Sequence, residues 1–131
     1  MHRRALLLLA AAITPLAFVR SAAAATVTPF TEAAFKAAQD DGKPILVAIH
    51  ATWCPICAKQ RPIMSQLEQD PSFKTLTVLM VDFDTQKDVV QALGANKQST
   101  LIAFHGKQET GRSVGVTDPV AIRGMFDKAM A

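Results

Sequence analysis

From residue 26 onward the apolar positions fall into two kinds of block. Ile45-Leu46-Val47-Ala48-Ile49 is a continuous apolar run, and Leu76–Phe83 and Thr100–Phe104 form two more. Short runs of this kind bounded by turn residues predict strands, the first of them buried on both faces. The segments between them mix apolar and polar positions as helices do. Thr31 is a good N-cap with Phe30 placed before it as a hydrophobic staple, opening a short amphipathic helix over Thr31–Ala38. Asp41-Gly42-Lys43-Pro44 ends that helix, because Gly accepts a left-handed cap and Pro cannot continue the spiral. A longer helix is predicted from Cys54 to about Gln69, broken or bent at Pro62, whose ring removes a hydrogen bond. Asp84-Thr85 can cap a helix across Asp88–Leu93 that Gly94 terminates. His105-Gly106-Lys107 makes a turn into a fourth strand around Thr110–Val116, and Thr117-Asp118-Pro119 starts the last helix with Pro at its first position. After the leading helix the order is β-α-β-α-β-β-α, which predicts one α/β domain with a central mixed β-sheet flanked by helices. Phe30, Phe35, Phe73, Phe83, Phe104 and Phe126, with Met64 and Met80, are expected in its core.

The first 25 residues follow another pattern. Met1-His2-Arg3-Arg4 is a cationic start, Ala5–Val19 an apolar run interrupted by Thr14 and Pro15, and Ser21–Ala25 a string of small residues. That order predicts a cleavable signal peptide over residues 1–25, leaving a domain over 26–131. The run is too short and too broken to serve as a membrane anchor, which needs about 20 apolar residues. The periplasm is the expected location, with secretion as the second choice. An ordinary secretory signal fits Arg3-Arg4 better than the twin-arginine route does.

Charge supports the same division. Lys and Arg number 14 against 11 Asp and Glu, for a net charge of +3. Three of the bases, Arg3, Arg4 and Arg20, lie in the first 25 residues beside no acid, so the domain carries equal numbers of each sign. A nucleic-acid footprint is not supported, and no membrane attachment is expected after cleavage. Roughly a hundred residues suffice for one core and leave no room for a second.

The chemistry concentrates at Trp53-Cys54-Pro55-Ile56-Cys57, which holds both cysteines of the chain. They follow a predicted buried strand and open a predicted helix. At i and i+3 on a helical first turn their Cα atoms are close enough for a Cys54–Cys57 disulfide. Cys54 falls at the N-cap, where unpaired backbone N–H groups and the helix dipole favour a thiolate. Pro55 occupies the next position at no hydrogen-bond cost. Cys57, one turn in, is expected to be more buried and to serve as the resolving thiol. Export would place the pair where a disulfide persists. A zinc site needs more ligands than the two cysteines with His50 and His105 provide, so no metal is expected. Ala58 stands where haem attachment requires His. A purely structural bridge closing so short a loop would constrain the unfolded chain little.

On these residues the chain is similar to the thioredoxin-like family over nearly all of its mature length. The likeness rests on Lys43-Pro44-Ile45-Leu46-Val47, on Ala51-Thr52-Trp53-Cys54-Pro55-Ile56-Cys57, on Pro62, on Val81-Asp82-Phe83-Asp84 and on Gly94 through Phe104. The resemblance implies the thioredoxin fold and thiol–disulfide oxidoreductase activity without a cofactor. It implies Cys54 as the exposed nucleophile, Cys57 as the resolving cysteine, Trp53 as the exposed aromatic beside the site, and Pro62 as the proline that bends the active-site helix. Trp53, Ser99 and Thr100 take the positions that meet substrate. An exported member looks most like the periplasmic proteins that reduce substrate disulfides. Such a protein would act as a monomer on protein or small-thiol disulfides and be recycled by a redox partner. A disulfide-forming oxidase and a module binding Cu(I) or an Fe–S cluster through Cys54 and Cys57 are the alternatives.

The chain also departs from the family pattern. Ala48 and Met80 stand where the family has a buried acid and its lysine partner, which removes a group that could accept the proton of Cys57. His50 lies two residues from Ala48 and could substitute through water. Ser99 takes the place of the family's cis-proline, and a trans bond is expected, because a cis bond before a residue other than proline costs about 2.5–4 kcal/mol. Lys59 and Arg61 read as a solvated helix face.

Overall fold

The computed structural model describes residues 23–131. Residues 1–22, which carry most of the expected export signal, lie outside the described residues. The domain is a five-stranded sheet in the order β1-β3-β2-β4-β5, built from β1 (Thr26–Pro29), β2 (Pro44–His50), β3 (Thr77–Asp82), β4 (Thr100–His105) and β5 (Gln108–Val114). β2 is central, parallel to β3 and antiparallel to β4. β1 runs parallel to β3 at one edge, and β5 runs antiparallel to β4 at the other.

The continuous apolar run of β2 follows from this position, because both of its faces are covered. Alternate side chains point to opposite faces of a strand. Leu46 and Ala48 meet Met64 and Leu67 of α2 (Pro55–Gln69) and Ile122, Met125 and Phe126 of α4 (Pro119–Met130). Ile45, Val47 and Ile49 meet Phe30, Ala38 of α1 (Glu32–Asp40) and Val90 of α3 (Lys87–Ala92). Thr31 caps α1 through a hydrogen bond from the Ala34 N–H (3.1 Å), and the rings of Phe30 and Phe35 close the staple at 5.3 Å. Asp118 caps α4 in the same way, ahead of Pro119.

Three expectations change. β1 precedes the leading helix and makes a fifth strand. α2 continues through Pro62 as one helix, so the proline costs a hydrogen bond without ending it. Asp84-Thr85 does not cap α3, because the Asp82 carboxylate takes the N–H groups of Asp84 (2.9 Å) and Thr85 (3.2 Å) in a tight turn. The helix starts at Lys87, one residue before the expected Asp88, and follows Gln86, whose amide accepts from the Asp82 N–H and donates to the Phe30 carbonyl.

The register sets where the site lies. β2 ends at His50 and leads into the Ala51–Cys54 loop, and Ile49 pairs with Thr100 at the start of β4. Ser99 is thereby delivered to the end of the sheet where α2 begins.

Candidate active site

The loop after β2 turns into α2 by local rules. The Cys54 N–H donates to the Ala51 carbonyl (3.2 Å), and the Ala58 N–H then takes the Cys54 carbonyl (3.1 Å) as the first helical bond. Cys54 itself keeps extended backbone and acts as the N-cap, its Sγ accepting the Cys57 N–H at 3.1 Å. Pro55 fills the first helical position, where its missing N–H has no intrahelical use. Both cysteines are free thiols here. The Cys57 N–H meets the Cys54 sulfur, and such a bond is stronger to a thiolate than to a thiol.

Exposure does not distinguish the two thiols as expected. Cys54 is 2% exposed and Cys57 8%, so Cys54 is not the open thiol and Cys57 is not the more buried one. The cause is the cap itself. Turning back to accept the Cys57 N–H lays the Cys54 sulfur in a small apolar cluster with Ala51, Cys57 and Phe83. Cys57 is marked instead by its pKa. Burial first, and then its hydrogen bond with Cys54, push its thiol above the usual range, while the backbone N–H groups of Ala51 and Ser99 pull the other way.

Trp53 is 57% exposed and is held in place, its indole Nε1 donating to Asp84 Oδ2 at 2.8 Å and its ring edge-on to Phe83 at 6.5 Å. Pro55 and Ile56 are also exposed, so an apolar rim surrounds the thiols. Ser99 and Thr100, expected to meet substrate, are both buried. Their hydroxyls donate to the Gln98 (2.6 Å) and Lys97 (2.7 Å) carbonyls. The peptide bond before Ser99 is trans, as expected, and its φ of 56° is the left-handed backbone that costs an L-residue about 1–2 kcal/mol. Of the Ser99 side, the backbone is what faces Cys57.

Behind Cys57 lies a cavity of about 150 Å³ lined by Ala48, His50, Met64 and Met80 among others, with Arg61 at its wall. The apolar replacements at Ala48 and Met80 thus leave space beside the thiol. Arg61 is not a simple solvated group. It forms an ion pair with Glu68, which is 6% exposed, and donates to Met80 Sδ at 3.4 Å. Lys59 does stay exposed. Among the described residues no cluster of three or more His, Cys, Asp and Glu is placed to hold a metal.

The sequence alone did not single out Gln60 or Glu68. Yet Cys57, Gln60, Met64, Leu67 and Glu68 are the buried residues of α2, spaced at three and four along one stripe. That periodicity was the available signal. Gln60 is 4% exposed, and its amide donates to the carbonyls of Ser99 (3.3 Å) and Val116 (2.8 Å).

Two thiols one helical turn apart, the first capping the helix that follows the central strand, define a thiol–disulfide oxidoreductase. The Thioredoxin family model matches residues 26–128, and the chain belongs to that family. It is 30% identical over 81 residues to thioredoxin Asp f 29 of Aspergillus fumigatus, a match covering 62% of this chain and 74% of that protein. It is 31% identical over 93 residues to the bifunctional thioredoxin reductase/thioredoxin of Mycobacterium leprae (strain TN), covering 70% of this chain and 20% of that longer protein. The crystal structure of Trxlp from Edwardsiella tarda EIB202 superposes with a TM-score of 0.75 at 40% identity, covering 77% of this chain and 98% of that one.

Proposed function

We propose that this oxidoreductase works in the cell envelope as a reductant of protein disulfides. The observation that carries the chemistry is Cys54 as the N-cap of α2, its sulfur receiving the Cys57 N–H. In the forward reaction the Cys54 thiolate attacks a substrate disulfide, and one substrate sulfur leaves as a thiolate and takes up a proton. The Cys57 thiol, having lost its proton, attacks Cys54 Sγ. The Cys54–Cys57 disulfide forms, the mixed disulfide breaks, and the substrate leaves reduced by two electrons. Trp53, Pro55 and Ile56 supply the apolar rim on which an unfolded or flexible substrate rests. Direction follows from how strongly the reduced pair is stabilised, since strong oxidants have an unusually stable reduced form. Among the described residues a single backbone donor reaches Cys54 Sγ, and burial holds the Cys57 thiol protonated. Both features favour a reductant. A separate partner restores the dithiol, in keeping with the reductase joined to a thioredoxin in the Mycobacterium leprae relative. The protein acts as a monomer.

A redox titration of Cys54–Cys57 against glutathione tests the direction. A potential near the roughly −270 mV of thioredoxin is expected, and one near the roughly −120 mV of a disulfide-forming oxidase would reverse the assignment. Location is tested separately by intact mass of protein from the native host. A new N-terminus between Ala24 and Thr26 supports export, and a retained Met1 overturns it.

A further inference from the structure

We propose that Gln60 is a positioning residue of the exchange reaction, its side-chain amide holding the Ser99 backbone against Cys57 for the resolving step. The proposal rests on the exchange chemistry above and not on its direction.

Gln60 projects from the buried stripe of α2, one turn after Cys57. Its amide reaches two loops at once, the one before β4 through the Ser99 carbonyl and the one after β5 through the Val116 carbonyl. The Ser99 carbonyl also accepts the Gly115 N–H at 3.0 Å. Helix α2 and both loops are thereby joined at a single carbonyl. Ser99 needs such a clamp, because a left-handed serine persists only where its surroundings over-determine it. Its backbone lies within reach of the Cys57 thiol, where its N–H favours the thiolate.

The resolving step explains why this matters. Cys57 must shed its proton in a buried site before its sulfur can attack Cys54 and expel the substrate thiolate. Among the described residues the other charged or titratable groups around Cys57 are Cys54 at the cap of α2, His50 at the end of β2 and Arg61 on α2. Arg61 is engaged by Glu68, Ser65 and Met80. The groups that favour the Cys57 thiolate are the N–H groups of Ala51 and Ser99. Ala51 is placed by the loop that leads into α2, and Ser99 by Gln60. No proline at position 99 could make this contribution, since proline lacks the N–H.

The test uses Gln60→Met, which keeps length and volume but removes both donors. Mixed disulfides between Cys54 and a small aromatic thiol are formed at acid pH, where Cys57 stays protonated, and after a jump to neutral pH thiol release is followed by absorbance. Resolution is expected to slow roughly tenfold at neutral pH, the equivalent of about one pKa unit, while the initial attack by Cys54 on the parent disulfide changes by less than about twofold. Ultraviolet titration of Cys57 in a Cys54→Ser background is expected to shift upward on Gln60→Met. Leu67→Ala on the same buried stripe is the control, expected to lower the melting temperature without moving either reading. Should Gln60→Met not fold, Gln60→Asn, too short to reach both carbonyls, gives the same readout. Equal slowing of both steps, or a lower melting temperature with resolution and titration unchanged, overturns the role. A Cys57→Ser protein that forms no mixed disulfide at Cys54 would refute the exchange chemistry instead.

Discussion

Two walls face each other across the thiols, and they are made in opposite ways. The α2 wall is local: Cys54 caps the helix, Pro55 fills its first position, and the Cys57 N–H closes on the Cys54 sulfur three residues back. The Ser99 wall is made at a distance, by Gln60 from α2, by Gly115 from the loop after β5, and by the pairing of Thr100 with Ile49. One wall carries reactive atoms on a scaffold that its own sequence dictates. The other carries backbone in a conformation that its own residue disfavours. Chemistry thus resides where structure is locally determined, and adjustment resides where structure is imposed by neighbours.

The sharpest break of this comparison is at the α2 wall. Cys54→Ser is expected to lower turnover on protein disulfides on the order of 10³-fold or more, because no nucleophile remains in the cap. Cys57→Ser should instead accumulate a stable mixed disulfide at Cys54, visible by mass spectrometry. Next comes the distant support of α2. Arg61→Ala leaves the buried Glu68 carboxylate without its partner and should cost about 3 kcal/mol in urea denaturation, near the lower end for a broken buried pair because Arg61 is partly solvated.

At the Ser99 wall, a proline ring needs a φ near −65° and cannot adopt the observed 56°. Ser99→Pro is expected to rebuild the loop and lose more than about 1 kcal/mol of stability. Ser99→Gly adopts this backbone freely but loses the hydroxyl bond to Gln98, so thermal melts should agree with wild type to within about 1 kcal/mol. The smallest effect is in pH. Cys57 binds its proton more tightly in the folded dithiol form than in the unfolded chain. The stabilisation is complete below the unfolded thiol's pKa and is lost as pH rises through the higher native value. Melting temperatures of the reduced protein should therefore fall across that alkaline window, and Cys57→Ala should remove this component.

The same contrast explains what could be read beforehand. The cap, the proline, the cysteine spacing and the buried central strand all obey rules that act within a few residues, so α2 and β2 were legible. β1 was not. Thr26-Val27-Thr28-Pro29 is a four-residue, largely exposed strand ending in proline, and only its parallel pairing with Thr77–Met80 makes it a strand. Gln60 and Glu68 were missed because polar residues on a helix normally face water. Their partners, the carbonyls of Ser99 and Val116 and the Arg61 guanidinium, bring them inside. The trans bond at Ser99 followed from a simple energy comparison, but its left-handed turn depends on contacts that local sequence does not encode.

The two margins of the sheet have a consequence for how the protein resists self-association. Exposed strand edges are templates for runaway pairing. At one margin β1 is short and ends at Pro29, which has no N–H to offer. At the other, Ala103 faces Gly111 while Phe104 faces Glu109, so Thr110 bulges from β5 and its hydroxyl is tied to the Lys128 carbonyl of α4 (2.6 Å). A Cβ at Gly111 would stand 2.5 Å from Lys128 Cδ, so glycine leaves room for that side chain to lie over the bulge. The domain is thereby blunted along its flanks, and growth of the sheet by an added strand is discouraged at both sides.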